Sequence, residues 1–150
     1  MNAYFRQATE SDCDLLYEWA NDKTVRAGSF CSEPIPYEGH CRWFANVLAS
    51  KEIIQLIYMV DNDPVGQVRL TVEGDKAELG YSICSRYRMQ GQGKRMLGLL
   101  PEYIRENYPE IKAITAKVKP ENAASHRNLL AVGYVKQYEE YELDVRAFEK

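Results

Sequence analysis

The chain has little that would tie it to nucleic acid, to a bilayer or to an oxidising compartment. Its 150 residues carry 22 Asp and Glu against 19 Lys and Arg, a formal net charge of −3, so the basic excess of a nucleic-acid-binding surface is missing. The longest apolar run, around residues 53–60, is far too short to span a membrane. The first residues, Met1-Asn2-Ala3-Tyr4-Phe5-Arg6, lack the apolar stretch of a secretory signal. The four cysteines, Cys13, Cys31, Cys41 and Cys84, form no C-x-x-C pair and no tight framework, which is the usage of reduced thiols in a cytoplasmic protein. Neither of the two histidines has a second ligand-type residue at metal spacing, so no metal site is expected. Repeats, linkers and low-complexity stretches are also missing. With 45% apolar residues, the chain reads as one domain, residues 1–150, around one sizeable core.

What is present is an alternation of strand and helix patterns. Tyr4–Ala8 reads as a first strand, closed by Thr9-Glu10-Ser11-Asp12, where Thr9 is a good helix N-cap. The helix that follows buries Leu15, Leu16 and Trp19, and Asn21-Asp22-Lys23 breaks it. Residues 25–36 read as irregular. A second helix starts near Tyr37 and places Cys41, Phe44, Val47 and Leu48 on one face. Glu52–Val60 and Val65–Val72 read as a hairpin, and Ala77–Ile83 as the next strand. A helical run holding Met96, Leu97, Leu100 and Ile104 contains Pro101, which costs roughly 3 kcal/mol inside a helix and predicts a kink or a break. Ala113–Val118 reads as a strand, a short helix runs to Val132, and Tyr134–Val145 reads as one or two final strands. The order gives a mixed sheet with helices on its faces, in the α/β or α+β class.

The most telling segment is Arg88-Met89-Gln90-Gly91-Gln92-Gly93-Lys94, between the Ala77–Ile83 strand and the helix. A glycine-rich turn into a helix N-terminus leaves backbone N–H groups unpaired, and the helix dipole adds partial positive charge. Such a place suits a phosphate or pyrophosphate. Gly91 and Gly93 carry no Cβ, which lets a ligand touch the backbone. Arg88, Lys94 and Arg95 either add charge there or are simply solvated.

Glu78-Leu79-Gly80-Tyr81, the Arg88-x-x-Gly91-x-Gly93 loop, and Asn122-x-x-Ser125 followed by Gly133-Tyr134 together resemble the GNAT superfamily of acyl-coenzyme-A-dependent N-acetyltransferases, over nearly the whole chain. The resemblance implies a mostly antiparallel central sheet of six or seven strands with about four helices, its fourth and fifth strands splayed. It implies acetyl-CoA as acyl donor, with the pyrophosphate on the backbone of Gly91, Gln92, Gly93 and Lys94 beside Arg88. The pantetheine arm would lie in the splayed gap, against Ser82, Ile83 and Cys84. Asn122 matches the family's pantetheine-binding asparagine, but Asn is equally a good helix N-cap. Ser125 is either a further cofactor contact or a helix-surface residue.

An amine attacks a thioester only as the free base, and an alkylammonium of pKa about 10 is about one part in a thousand free amine at neutral pH. A carboxylate or ordered water that takes the proton helps by roughly 10²- to 10⁴-fold. Glu78 is the candidate catalytic base, the alternative being a sheet carboxylate paired with Arg69 or Lys117. Many relatives carry a tyrosine seven residues after the asparagine as general acid; here that position is Leu129. The proton donor is then Tyr134, Tyr138 or water, or no acid is needed. No metal is required.

In this fold the region between the first two helices commonly lines the acceptor pocket. Here Arg26, His40 and Trp43 are the candidate substrate-binding residues. Arg26 would hold a diphosphate bidentately, and Trp43 would stack on a ring; the alternative places His40, Trp43 and Phe44 in the core. The stretch from Trp19 to Phe44 looks like the amino-sugar N-acetyltransferases of the pseudaminic acid pathway, which implies the 4-amino group of a nucleotide-linked amino sugar as acceptor. Acceptors of other kinds (a protein N-terminus, a polyamine, an aminoglycoside) and a non-catalytic acyl-CoA-binding module stay open, as does a homodimer.

Overall fold

Alternation along the strands decides which face of the sheet each helix covers. The computed structural model describes residues 2–148. Strands β1 (Ala3–Gln7), β2 (Ile53–Val60), β3 (Asp63–Glu73), β4 (Lys76–Ile83) and β5 (Ala113–Ala116) form one sheet in chain order. The first three pairings are antiparallel and β4–β5 is parallel. Leu56, Tyr58 and Val60 of β2, Val68 and Leu70 of β3, and Ala77 and Leu79 of β4 point to one side. There they pack on Met96, Leu97, Leu100 and Ile104 of α4 (Gln92–Asn107) and Leu129 of α5 (Ala123–Ala131). Ile57 and Met59 point the other way, onto Leu16 and Trp19 of α1 (Cys13–Ala20) and Phe44 of α3 (Tyr37–Ala49).

The expected N-terminal turn is present in stronger form. Asp12 accepts the Thr9 N–H at 2.8 Å and takes Arg6 bidentately, both contacts at 2.8 Å. The arginine's hydrogen bonds hold the Asp12 carboxyl below its ordinary value, against the opposing effect of burial.

Four expectations need correction. Residues 25–36 are not wholly irregular, because α2 occupies Lys23–Gly28, capped by Asp22, whose side chain accepts from Thr24 and Val25 N–H. That makes five α-helices among the described residues rather than about four. Pro101 neither splits nor ends its helix: four buried apolar side chains, at roughly 1.5–3 kcal/mol each, outweigh a proline cost of roughly 3 kcal/mol. Finally, Tyr134–Val145 joins no ladder, so the described sheet has five strands and not six or seven. Val135, Tyr138, Tyr141, Leu143 and Val145 face solvent. Aromatic and β-branched residues favour strands through a half-buried surface to pack on, and these side chains have none.

Candidate active site

The sheet opens at β4. Its parallel pairing with β5 covers only Lys76–Leu79 against Ala113–Ala116, after which Gly80–Ile83 continue without a β5 partner. This is the splay anticipated between the fourth and fifth strands. On the other side β4 stays paired to β3 throughout, and the Cys84 N–H bonds the Val65 carbonyl at 2.9 Å. Antiparallel bonding alternates, so the backbone of Tyr81 and Ile83 faces the gap while that of Ser82 and Cys84 faces β3. Of the expected pantetheine contacts, Ile83 alone therefore presents its backbone, and its carbonyl already accepts Arg88 Nε at 3.0 Å. The Ser82 hydroxyl accepts from Gln67 Nε2 at 3.2 Å.

The glycine loop ends the gap. Met89 (φ 61) and Gly91 (φ 77) both adopt the left-handed conformation, and Gly91 is the N-cap of α4. The Arg95 N–H bonds the Gly91 carbonyl at 3.1 Å, so the N–H groups of Gln92, Gly93 and Lys94 precede the helical ladder and point outward from its start. The Gln92 side chain turns inward to accept the buried Tyr58 hydroxyl at 2.9 Å, leaving its backbone for a ligand. A Cβ on Gly93 would lie 2.9 Å from Asn128 Nδ2, so any larger residue here must displace the end of that side chain on α5. Lys94 is exposed in the first turn. Arg88 is not: its guanidinium pairs with Asp22 at 2.7 Å. A cleft of about 240 Å³ lies beside this pair, lined by Trp19, Ile83, Cys84 and Arg86 among others.

Across the gap, the Asn122 side chain accepts the Ser125 N–H at 3.2 Å, the helix-cap role. Ser125 is not a surface residue; it is buried, with Oγ 2.6 Å from the Tyr81 hydroxyl. Leu129 is core. The Tyr134 hydroxyl is buried without a hydrogen-bond partner, and burial, with Tyr81 adding to it, pushes its pKa up to about 12. Tyr138 is exposed. No group of three or more His, Cys, Asp or Glu is placed to hold a metal ion among the described residues, and none of their helices is long and apolar enough to cross a membrane.

Glu78 lies on the α1–α3 face of the sheet and pairs with Lys117 at 3.3 Å, both side chains substantially exposed. Register places it beside Thr71, two residues from Gly80, which pairs with Arg69. The acceptor candidates fare differently from one another. Arg26 donates to the carbonyls of Ala20 (2.7 Å), Cys31 (3.0 Å) and Glu33 (3.4 Å) and to the Ser29 hydroxyl (3.3 Å), so it shapes the α2–α3 loop rather than facing a ligand. His40 is buried, with Nε2 2.9 Å from the Cys13 carbonyl oxygen, and braces α3 against α1. Trp43 is 38% exposed, with the Arg69 guanidinium 5.1 Å above its ring.

The acetyltransferase (GNAT) domain family matches residues 2–135. The chain belongs to the GNAT family. This member is accordingly an N-acetyltransferase that draws on acetyl-CoA. No curated protein matches it. Among solved structures it is similar to the aminoglycoside acetyltransferase AAC(6')-Ib in complex with coenzyme A, at TM-score 0.78 and 21% identity over 91% of this chain and 86% of that one. It is similar also to a domain from Methanocaldococcus jannaschii DSM 2661, at TM-score 0.79 and 20% identity over 94% and 93%. A possible acetyltransferase from Clostridium difficile 630 has TM-score 0.74 and 17% identity over 97% and 99%. At these identities the three establish a shared fold. The placement of two residues at this candidate site escaped sequence reasoning. Asp22 read only as part of a helix break, with no signal for a partner 66 residues away, and Arg69 read only as a possible partner of Glu78 in the alternation of β3, with no signal for Trp43 beside it.

Proposed function

We propose that this GNAT enzyme moves the acetyl group of acetyl-CoA to the primary amine of a nucleotide-linked amino sugar. The observation that carries the acetyl transfer is the gap at Gly80–Ile83, which opens toward the unpaired N–H groups of Gln92, Gly93 and Lys94 at one end and toward Glu78 at the other. The pyrophosphate binds at the start of α4, the pantetheine arm follows β4, and the thioester reaches the level of Gly80. The free amine attacks the thioester carbonyl, and Glu78, directly or through water, accepts its proton. A gap-facing β4 N–H stabilises the tetrahedral oxyanion. The carbon–sulfur bond then breaks, the thiolate takes up a proton, and the N-acetylated product leaves with coenzyme A.

The amino-sugar acceptor draws support from the resemblance over residues 19–44 and from the half-exposed ring of Trp43. A thiol-release screen with acetyl-CoA against amines tests it, and a UDP-linked 4-amino sugar is the expected acceptor. Efficient turnover of spermidine or an N-terminal peptide, with none of any UDP-amino sugar, would remove the sugar and leave the acetyltransferase.

A further inference from the structure

Among the described residues, Arg69 is a cation of the α1–α3 face that no carboxylate pairs with directly; Glu78, on the same face, acts on it only at longer range. Lys117 has Glu78, Arg88 has Asp22, and the Arg26 donors end on loop carbonyls. Among the described residues, Arg69 has neither a carboxylate within ion-pair distance nor a hydrogen-bond acceptor. The amides beside it are engaged with each other: Gln55 Nε2 donates to Gln67 Oε1 at 2.8 Å, and Gln67 donates onward to Ser82.

Its position explains where the guanidinium goes. Arg69 pairs with Gly80 on β4 and Gln55 on β2, so its side chain stands on the α1–α3 face. Gly80 offers no side chain to obstruct it, and a Cβ there would lie 3.7 Å from Arg69 Nη2. The other side is covered by Trp43, with Cζ 5.1 Å from the ring centre. The residue is exposed to solvent, yet desolvation by the surrounding walls, with the charge of Arg26, lowers its pKa while Glu78 opposes them. The guanidinium thus lies between the Trp43 ring and the bare backbone of Gly80, with a solvent-accessible edge. A guanidinium stacked on an aromatic ring keeps its in-plane N–H donors free for a planar or tetrahedral anion.

Resting on the acetyl-transfer reading above, we infer that the acceptor carries an anionic group beside its amine, and that Arg69, held against Trp43, receives it next to Gly80. The role assigned to Arg26 by sequence thus passes to Arg69. A phosphate, a diphosphate or a carboxylate supplies the same chemistry. A polycationic acceptor is disfavoured at Arg69 itself, because it would bring like charge onto the guanidinium.

The test uses matched amines that differ in the anion: 2-aminoethyl phosphate with ethanolamine, alanine with alaninamide, and a UDP-linked amino sugar with the free amino sugar, plus kanamycin as a polycation. The anionic member should have the lower KM. Arg69→Gln should raise that KM by at least ~10-fold while acetyl-CoA KM stays within about twofold, and Arg69→Lys should recover part of the loss. Independently of turnover, with coenzyme A saturating, UDP should quench tryptophan fluorescence, uridine should not, and Arg69→Gln should lose the response. Preference for kanamycin or the neutral members, or an Arg69→Gln variant with unchanged KM and UDP response, overturns the inference. Arg69-dependent use of 2-aminoethyl phosphate without the UDP-sugar supports it and removes the sugar reading. A protein that binds no coenzyme A overturns both.

Discussion

Arg88 Nη2 lies 2.7 Å from Asp22 Oδ1, so the glycine-rich loop before α4 and the cap of α2 share one ion pair. Asp22 also accepts the N–H groups of Thr24 and Val25. Burial raises the Asp22 pKa, but the hydrogen bonds from Arg88 and the two backbone groups outweigh it, and the net direction is down. A depressed carboxylate contributes its stability above the unfolded value, about 3.9, and loses it as pH falls through the lower folded value. Asp22→Ala should therefore cost about 1 kcal/mol at neutral pH and progressively less under acid conditions. Because the same carboxylate holds Arg88, that variant should also weaken coenzyme A. A double-mutant cycle with Arg88→Ala should give a coupling of about 1 kcal/mol in coenzyme A affinity; additive losses would show the two sides to be independent.

Gly93→Asp should reduce coenzyme A affinity by at least ~10-fold, through negative charge at a helix N-terminus and loss of the space the ligand needs. Its Cβ also meets Asn128, so Gly93→Ala is the control for packing alone. Calorimetry on both, with melting curves to confirm folding, separates the two. Full affinity in folded Gly93→Asp would remove the pyrophosphate from this loop.

Glu78→Gln should lower kcat by roughly 100-fold and leave coenzyme A affinity unchanged. The Glu78–Lys117 pair is exposed and contributes at most about 1 kcal/mol, so the variant reports on chemistry and not on folding. Its deficit should shrink as pH rises and the free-amine fraction grows. Wild-type kcat at neutral pH would move the base elsewhere.

The two buried tyrosines should respond in opposite directions. Tyr134→Phe removes a hydroxyl with no partner and should hold or raise Tm, because an unsatisfied buried group costs stability. Tyr81→Phe deletes the bond to Ser125 and should cost about 1 kcal/mol, or about 2–4 °C in a chain of this size. Tyr134→Phe should retain kcat, in keeping with a hydroxyl shut away from solvent. A large kcat loss with unchanged Tm would instead make it the donor to the departing thiolate.

What the sequence determined is local. The period-two alternation of β3 and β4 assigned their faces, the Gly91-x-Gly93 spacing located the turn into α4, and the apolar period of α4 survived Pro101 because burial exceeds one lost hydrogen bond. The Glu78–Lys117 pair was among the readings open from the residues alone. What only the tertiary structure decided is how the donors and acceptors of polar side chains are used. Arg26 and His40 look like ligand groups in a sequence, yet one ends on loop carbonyls and the other on the Cys13 carbonyl. Arg88 looked available for phosphate until Asp22, distant in the chain, was placed beside it. Tyr134–Val145 has a strand's composition without a strand's neighbours. Periodicity records which face a residue occupies, whereas the partner on that face depends on loops and helix placements that no local pattern encodes, and Arg69, set between Trp43 and Gly80, acquires its meaning from that placement alone.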